Sequence, residues 1–381
     1  MMRARFTKIL LAVIVPVAMA AIFFQAGRAV AGPLFAPAGS SWAVTDDLEA
    51  FTALEPIDTH VHAFKSDPAI TDLLVRLHLH VLDICVADSQ RSFGGLAAET
   101  ARAQSFAQAS QHHASLCVTF DPFTFEQKNF ARDTVKELRQ EFADGAVAVK
   151  IWKNIGMELK TPDGRYVMPD DPIFEPIYRA IAAENKTLIA HVAEPSSCWQ
   201  PPNPESPDYD YYNEHPEWYM YRHPDHPRKE TILAARDHLL AQNPKLRVVG
   251  AHLGSMETDV DEIAKRFDRY PNFAVDMAAR MEYLMIQPRE KVRNFLIKYQ
   301  DRVLYGTDLE FLAADATPDA LKEWQETYAR DWKFLATDQM LDYRGHQVEG
   351  LALPEPILRR IFHDNAVHWI PGIVAPAASA K

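Results

Sequence analysis

Short apolar runs alternate with stretches of helical spacing along most of the 381-residue chain, and the rhythm repeats eight times. The first run closes on Glu55-Pro56-Ile57-Asp58-Thr59-His60-Val61-His62; the others span residues 81–86, 115–120, 147–151, 187–192, 247–252, 272–275 and 302–305. Between them, residues 69–79, 96–112, 134–142, 173–184, 229–242, 260–267 and 291–299 carry apolar positions at helical intervals. Such alternation implies parallel strands joined by crossover helices, and eight units are the number that closes a barrel. A doubly wound open sheet would show a glycine-rich phosphate turn after its first strand, and none is present. The expected fold is therefore an α/β (β/α)8 TIM barrel.

Two excursions break the rhythm. A long loop after strand five, from Glu194 to about Arg228, is crowded with aromatic residues, among them Trp199, Tyr211, Tyr212, Trp218 and Tyr219. Connections of that length in a compact domain usually serve a site. An extension after strand eight runs from Asp308 to about Leu353, with a helical piece over residues 318–334, and a last helix is expected over residues 355–365.

The first thirty residues are of another kind. Arg3, Arg5 and Lys8 precede an apolar run over residues 9–24, and Ala29-Val30-Ala31 follows it. That order is the pattern of a secretory signal peptide, with cleavage expected after Ala31 and a retained membrane anchor as the alternative. The division is a signal peptide over 1–31, a leader without clear periodicity over 32–54, the barrel over 55–371 and a disordered tail over 372–381. The expected location is the periplasm.

With 48% hydrophobic residues the chain can bury one large core. Its net charge of −12 is spread along the sequence, which excludes a basic nucleic-acid surface. Cys85, Cys117 and Cys198 are expected as buried small hydrophobes, with one disulfide left open.

In a barrel, catalytic groups gather where the strands end and the βα loops begin. Residues at those ends are His60 and His62 after strand one, Lys150 on strand four, His191 on strand five, His252 on strand six and Asp308 after strand eight. His60 and His62 share a face of their strand, because side chains alternate. Buried polar groups in such numbers need partners, and imidazoles with a carboxylate suit Zn²⁺, Mn²⁺ or Fe²⁺.

This set resembles the amidohydrolase superfamily, in particular the amidohydrolase-related branch that contains aminocarboxymuconate semialdehyde decarboxylase. The resemblance rests on His60-Val61-His62, His191, His252, Asp308 and the closing Phe362-His363-Asp364-Asn365-Ala366. It implies that His60, His62, His191 and Asp308 bind one divalent metal ion, with Zn²⁺ expected and Mn²⁺ or Fe²⁺ as alternatives. It further implies that Asp308 and His252 are catalytic, moving protons beside an activated water. Binuclear members of the superfamily carry a carboxylated lysine on strand four that bridges two ions, which is one role for Lys150; binding an anionic substrate is another. Arg280 is a second candidate to hold a substrate carboxylate. Asp121, Glu194 and Asp276 are candidates to orient the ligands.

The expected function is hydrolysis of an ester, lactone or amide bond in a small molecule, with nonoxidative decarboxylation or hydration of a small carboxylic acid as the alternative. A barrel kept only for binding would show a broken ligand set, and all five positions are filled. The partner is a small molecule, carboxylate-bearing in one version; association into a homo-oligomer stays open, and membrane contact is expected only through an uncleaved N-terminus.

Overall fold

The computed structural model describes residues 45–89 and 94–374. The signal-peptide reading of residues 1–31 and the end of the tail, residues 375–381, lie outside the described residues. Among the described residues, no helix is long and apolar enough to cross a membrane.

Nine strands form one parallel sheet that curls into a TIM-barrel-like α/β fold: β1 (Ile57–Ala63), β2 (His80–Ile84), β3 (Ala114–Thr119), β4 (Ala148–Ile151), β5 (Thr187–Ala190), β6 (Arg247–Gly250), β7 (Phe273–Asp276), β8 (Val303–Leu304) and β9 (Leu309–Phe311). They lie in the order β8-β7-β6-β5-β4-β3-β2-β1-β9. Strands buried on both faces read as continuous apolar runs, which is why these segments were visible in the sequence. Alternation sorts the two faces. Val81, Val118, Val149, Leu188, Val248, Val275 and Val303 pack among the helix residues. Their neighbours Leu82, Cys117, Ala148, Ile189, Val249, Ala274 and Leu304 form a second cluster with Ala366, Trp369, Ile370 and Ile373 from the C-terminal segment. That second cluster fills the barrel and stoppers the end at which the strands begin.

The eighth strand of the sequence reading, residues 302–305 leading to Asp308, is broken in two. β8 pairs with β7 through Val275↔Val303, and β9 pairs with β1 through Val61↔Leu309. Between them Thr59 N donates to Tyr305 O at 3.0 Å and Asp308 N to His60 O at 2.8 Å, so the interrupted chain still joins the two edges. Gly306 sits at the interruption, where an added Cβ would stand 3.3 Å from the His60 Cβ.

Three other expectations are corrected. In the described part of the leader, Thr45–Thr52 is a helix, with Leu48 and Phe51 three residues apart and both buried. Phe51 packs against the rings of Tyr305, Tyr328, Trp332 and Phe362. The last helical segment continues past residue 365 through Asn365–Trp369, held by Asn365 Nδ2 donating to Gln300 O and Val303 O at 2.8 and 2.7 Å. Residue 373 does not belong to a disordered tail, because Ile373 is drawn into the apolar floor, 1% exposed.

The long loop folds as short turns, Ser196–Trp199, Tyr209–Glu214, Pro216–Trp218 and Met220–Arg222. The extension holds a helix, Thr317–Ala336, then a hairpin of β10 (Met340–Tyr343) and β11 (His346–Glu349). All three cysteines are free and buried.

Candidate metal centre

β1 is buried along its whole length, so its polar side chains must find partners inside. His62 Nδ1 lies 2.7 Å from Ile84 O. A carbonyl oxygen only accepts, so the proton sits on Nδ1 and the Nε2 lone pair is bare. His60 Nδ1 lies 3.0 Å from Asp276 Oδ2 and donates to it, leaving its Nε2 bare as well. Asp308 Oδ1 stands 3.3 Å from His60 Nε2 and 3.4 Å from His62 Nε2. Three acceptor atoms thus converge with no proton assigned among them, and such a trio fits a divalent cation.

Asp308 reaches this position through an unusual backbone. Its φ is +67°, a left-handed conformation that costs a non-glycine residue ~1–2 kcal/mol. His252 shares the feature at +60°. Its backbone N donates to Asp276 Oδ1 at 2.8 Å and its Nδ1 to Ala278 O at 3.0 Å, which turns a bare Nε2 inward. That Nε2 is 3.1 Å from His191 Nδ1. His191 is therefore paired with His252 and stands apart from the tight trio, while its Nε2 is buried without a hydrogen-bond partner. Its nearest acidic neighbour is Glu194 Oε1 at 3.8 Å, beyond hydrogen-bond distance, so this buried imidazole nitrogen is left with a free lone pair or proton.

His60, His252 and Asp276 form a second close group. Both oxygens of Asp276 are already used, Oδ1 by the backbone N–H groups of His252 and Ala278 and Oδ2 by His60. That group is a hydrogen-bonded support, and Asp276 orients two histidines at once.

Burial holds the imidazoles of His60, His191 and His252 well below the ordinary value of 6.5, with Lys150 adding to the effect at His60 and His252 adding to it at His191. Neutral imidazole is the ligating form. Burial pushes the Asp308 carboxyl up, but His252, His60 and His62 outweigh it and hold that carboxyl well below the usual carboxylate range. Its side chain is the most open of the trio, 16% exposed against 0% for His60 and 9% for His62.

Lys150 is 1% exposed, and its Nζ lies 2.9 Å from His60 Nε2, directly at the trio. Burial lowers its pKa, opposed by Asp276 and Asp308. Arg280, four residues beyond Asp276, is also buried; its Nη1 donates to Ala279 O at 2.7 Å and lies 3.9 Å from Asp208 Oδ1. Its Nε is buried without a partner. Asp121 accepts from Phe123 N and caps a turn, and it takes no part in the centre.

Sequence reasoning passed over two groups. Lys153 donates to Glu194 and, at 2.6 Å, to Tyr211 OH, with Trp218 beneath its ammonium at 4.5 Å; it fastens the long loop to the end of β4. Its place three residues after Lys150 was the one available signal. Thr307 and Tyr328 both bind Asp58, and nothing in their spacing announced it. Burial pushes the Asp58 carboxyl up to about 7 against the hydrogen bonds it accepts from Thr307, His60 and Tyr328.

A family model described as Amidohydrolase matches residues 57–371. No curated protein matches the chain. Among solved structures, the chain is similar to a 5-carboxyvanillate decarboxylase from Sphingomonas paucimobilis, at 15% identity and a TM-score of 0.44, covering 83% of this chain and 99% of that one. It is similar to a 2,6-dihydroxybenzoate decarboxylase from Rhizobium, at 12% identity and a TM-score of 0.46, covering 82% and 98%. It is also similar to a dihydroorotase from Campylobacter jejuni, at 12% identity and a TM-score of 0.42, covering 82% of each chain.

Proposed function

The chain belongs to the amidohydrolase family, and on that premise we propose that it is a metal-dependent hydrolase that turns water against an ester, lactone or amide bond of a small molecule. The observation that carries the reading is the convergence of His60 Nε2, His62 Nε2 and Asp308 Oδ1, three acceptors facing one another. A divalent cation held by them, with His191 as a further ligand, would supply Lewis acidity, acidifying water and polarising a carbonyl; Zn²⁺ suits the donors, and Mn²⁺ and Fe²⁺ are the alternatives. Asp308, ionised and partly open, accepts the proton of the attacking water. His252, its Nδ1 committed to Ala278 O, turns an unprotonated Nε2 inward beside His191 Nδ1, and on release from His191 that nitrogen can take up a proton from the attacking water and pass it to the leaving group.

Arg280 favours a substrate that carries a carboxylate. Its Nη1 is engaged, while the buried Nε–H has no acceptor, and a guanidinium edge in that state fits a carboxylate side-on. The same feature supports the second reading, decarboxylation or hydration of a small carboxylic acid. Lys150 bears on the number of ions. As an ammonium it competes for the His60 lone pair or meets the substrate anion; carboxylated, it becomes an anion able to bridge two ions.

Elemental analysis of the purified protein beside His60→Ala, Asp308→Ala and Lys150→Ala variants tests the reading. One equivalent, lost with His60 or Asp308 and kept without Lys150, supports a single-ion centre. Two equivalents that fall with Lys150 support a bridged pair. Absence of metal under every loading condition overturns the proposal. Release of acid from lactones or esters against release of CO₂ from aromatic acids then separates the two reactions, and Arg280→Lys is expected to raise KM for carboxylate substrates by roughly 10–100-fold. We also place the mature protein in the periplasm, on the N-terminal order of Arg3, Arg5, the apolar run and Ala29-Val30-Ala31; N-terminal sequencing of the cell-exported form is expected to start at Gly32.

A further inference from the structure

Asp58 precedes His60 by two residues on β1 and is fully buried, but the β1–β2 register shifts between Asp58 and Val61, and Asp58 pairs with Val81 of the helix-side cluster, so simple alternation does not put it on the face of His60. Its carboxylate is saturated. Oδ1 accepts from His60 N at 3.0 Å and Thr307 N at 3.1 Å; Oδ2 accepts from Thr307 Oγ1 at 2.6 Å and Tyr328 OH at 3.0 Å. With four donors in place it has no capacity left for a ligand. What it does hold is the residue immediately before Asp308. Thr307 Oγ1 in turn accepts from Leu309 N at 3.2 Å, so the two neighbours of the left-handed Asp308 are tied in a chain, Leu309 to Thr307 and Thr307 to Asp58. A strained backbone persists only where its surroundings over-determine it.

Tyr328 comes from outside the barrel. It lies on the helix Thr317–Ala336 and stacks on Phe51 of the helix Thr45–Thr52, at a centroid distance of 5.6 Å and 27° between planes. The extension and the segment before β1 therefore reach Asp58 through the Tyr328 hydroxyl, while Tyr305, on the other side of the break, meets the same helix at Asp331.

We propose that Asp58, Thr307 and Tyr328 are positioning residues that hold Asp308 in its cation-binding orientation, and that through the Tyr328 hydroxyl the helix after the barrel sets the affinity of the centre for its ion. This rests on the metal-centre reading above. None of the three touches the converging Nε2 and Oδ1 atoms; their effect passes through the backbone of Thr307 and Asp308.

The experiment is a Zn²⁺ titration of the metal-stripped full-length protein against a chromophoric chelator, with thermal melts of the same metal-free samples. Tyr328→Phe and Thr307→Val are expected to weaken Zn²⁺ binding by roughly 10–100-fold at unchanged stoichiometry, the range for groups that orient a ligand. Thr307→Ser, which keeps the hydroxyl, is expected to restore affinity to within about threefold. Tyr305→Phe is the matched control: its hydroxyl donates to Asp331 Oδ2 at 3.1 Å on the same helix and leaves Asp58 alone. It should lower the melting temperature as Tyr328→Phe does while Zn²⁺ affinity stays at the wild-type value. Wild-type affinity in Tyr328→Phe, or equal weakening in Tyr305→Phe, overturns the positioning role and leaves the metal centre standing. If Thr307→Val does not fold, Tyr328→Phe, which removes a single oxygen, decides alone. A wild-type protein that binds none of Zn²⁺, Mn²⁺ and Fe²⁺ and behaves as His60→Ala does overturns the metal-centre reading itself.

Discussion

The two ends of the barrel are built from the same strands and solve opposite problems. At the end where strands begin, Trp369, Ile370 and Ile373 fill the interior against Ile57, Leu82 and Ile189. The polar groups there are satisfied one by one: His80 Nε2 meets Ser115 Oγ at 2.9 Å, Ser115 donates to Ile373 O, and His113 Nδ1 donates to Leu79 O at 2.8 Å. At the end where strands finish, bare acceptors face one another, and His191 Nε2 and Arg280 Nε are buried without a hydrogen-bond partner. Backbone conformation divides the same way. Glu55, His78, His112 and Asn185 take left-handed angles in turns that lead into strands, where a polar residue ends a helix at little cost. At the other end the left-handed residues include Ala193, His252, Leu253, Ala279 and Asp308, which aim or flank site groups. One end is satisfied packing; the other holds strain and unpaired polar atoms that a ligand would complete.

Breaking the comparison at its strongest point means removing the Asp308 charge. Asp308→Asn is expected to abolish metal retention and lower turnover by at least ~10²–10³-fold, the scale of losing a group that stabilises developing charge. The melting temperature of the metal-free form should fall only modestly, since Asn tolerates the left-handed backbone while giving up the attraction that His252, His60 and His62 exert on the carboxylate; a collapse of stability would show the trio to be a packing element instead.

The floor should answer in the opposite sense. Trp369→Ala removes a ring that is 4% exposed and an N–H donated to Asp301 O, and is expected to cost about 3–5 kcal/mol in denaturant unfolding. Metal stoichiometry should be unchanged. Loss of metal in this variant would mean that the two ends are coupled through the barrel.

A smaller effect separates the ends by pH. Burial, with His113 adding, lowers the His80 pKa from 6.5 to about 4. The unfolded chain then binds the proton that the folded one refuses. Stability is complete above about pH 6.5, declines as pH falls towards about 4 and levels off below it. Between about pH 7 and about pH 5 this amounts to on the order of 1–2 kcal/mol, and His80→Gln should flatten that part of the acid limb. An unchanged acid limb would place the titration at the other histidines.

The sequence by itself determined the strand and helix alternation, because strands buried on both faces must be apolar throughout and their crossovers must be amphipathic. It also put His62, Lys150, His191 and His252 at or just beyond strand ends, which periodicity locates, whereas His60 lies inside β1 and Asp308 between β8 and β9. Three kinds of fact depended on folding. The division of strand eight into two pieces is one: Tyr305 and Asp308 are three residues apart, yet each pairs with β1 only because the barrel brings the first and last strands together. The partners of the histidines are another. Asp276 serves both His60 and His252, from 216 and 24 residues away, and no local pattern encodes contacts at such separations. The last is the reach of Tyr328 to Asp58 across 270 residues. Hydrophobic period is a property of neighbours along the chain, whereas a hydrogen bond between distant side chains exists only once closure of the barrel has set their distance and excluded water from between them.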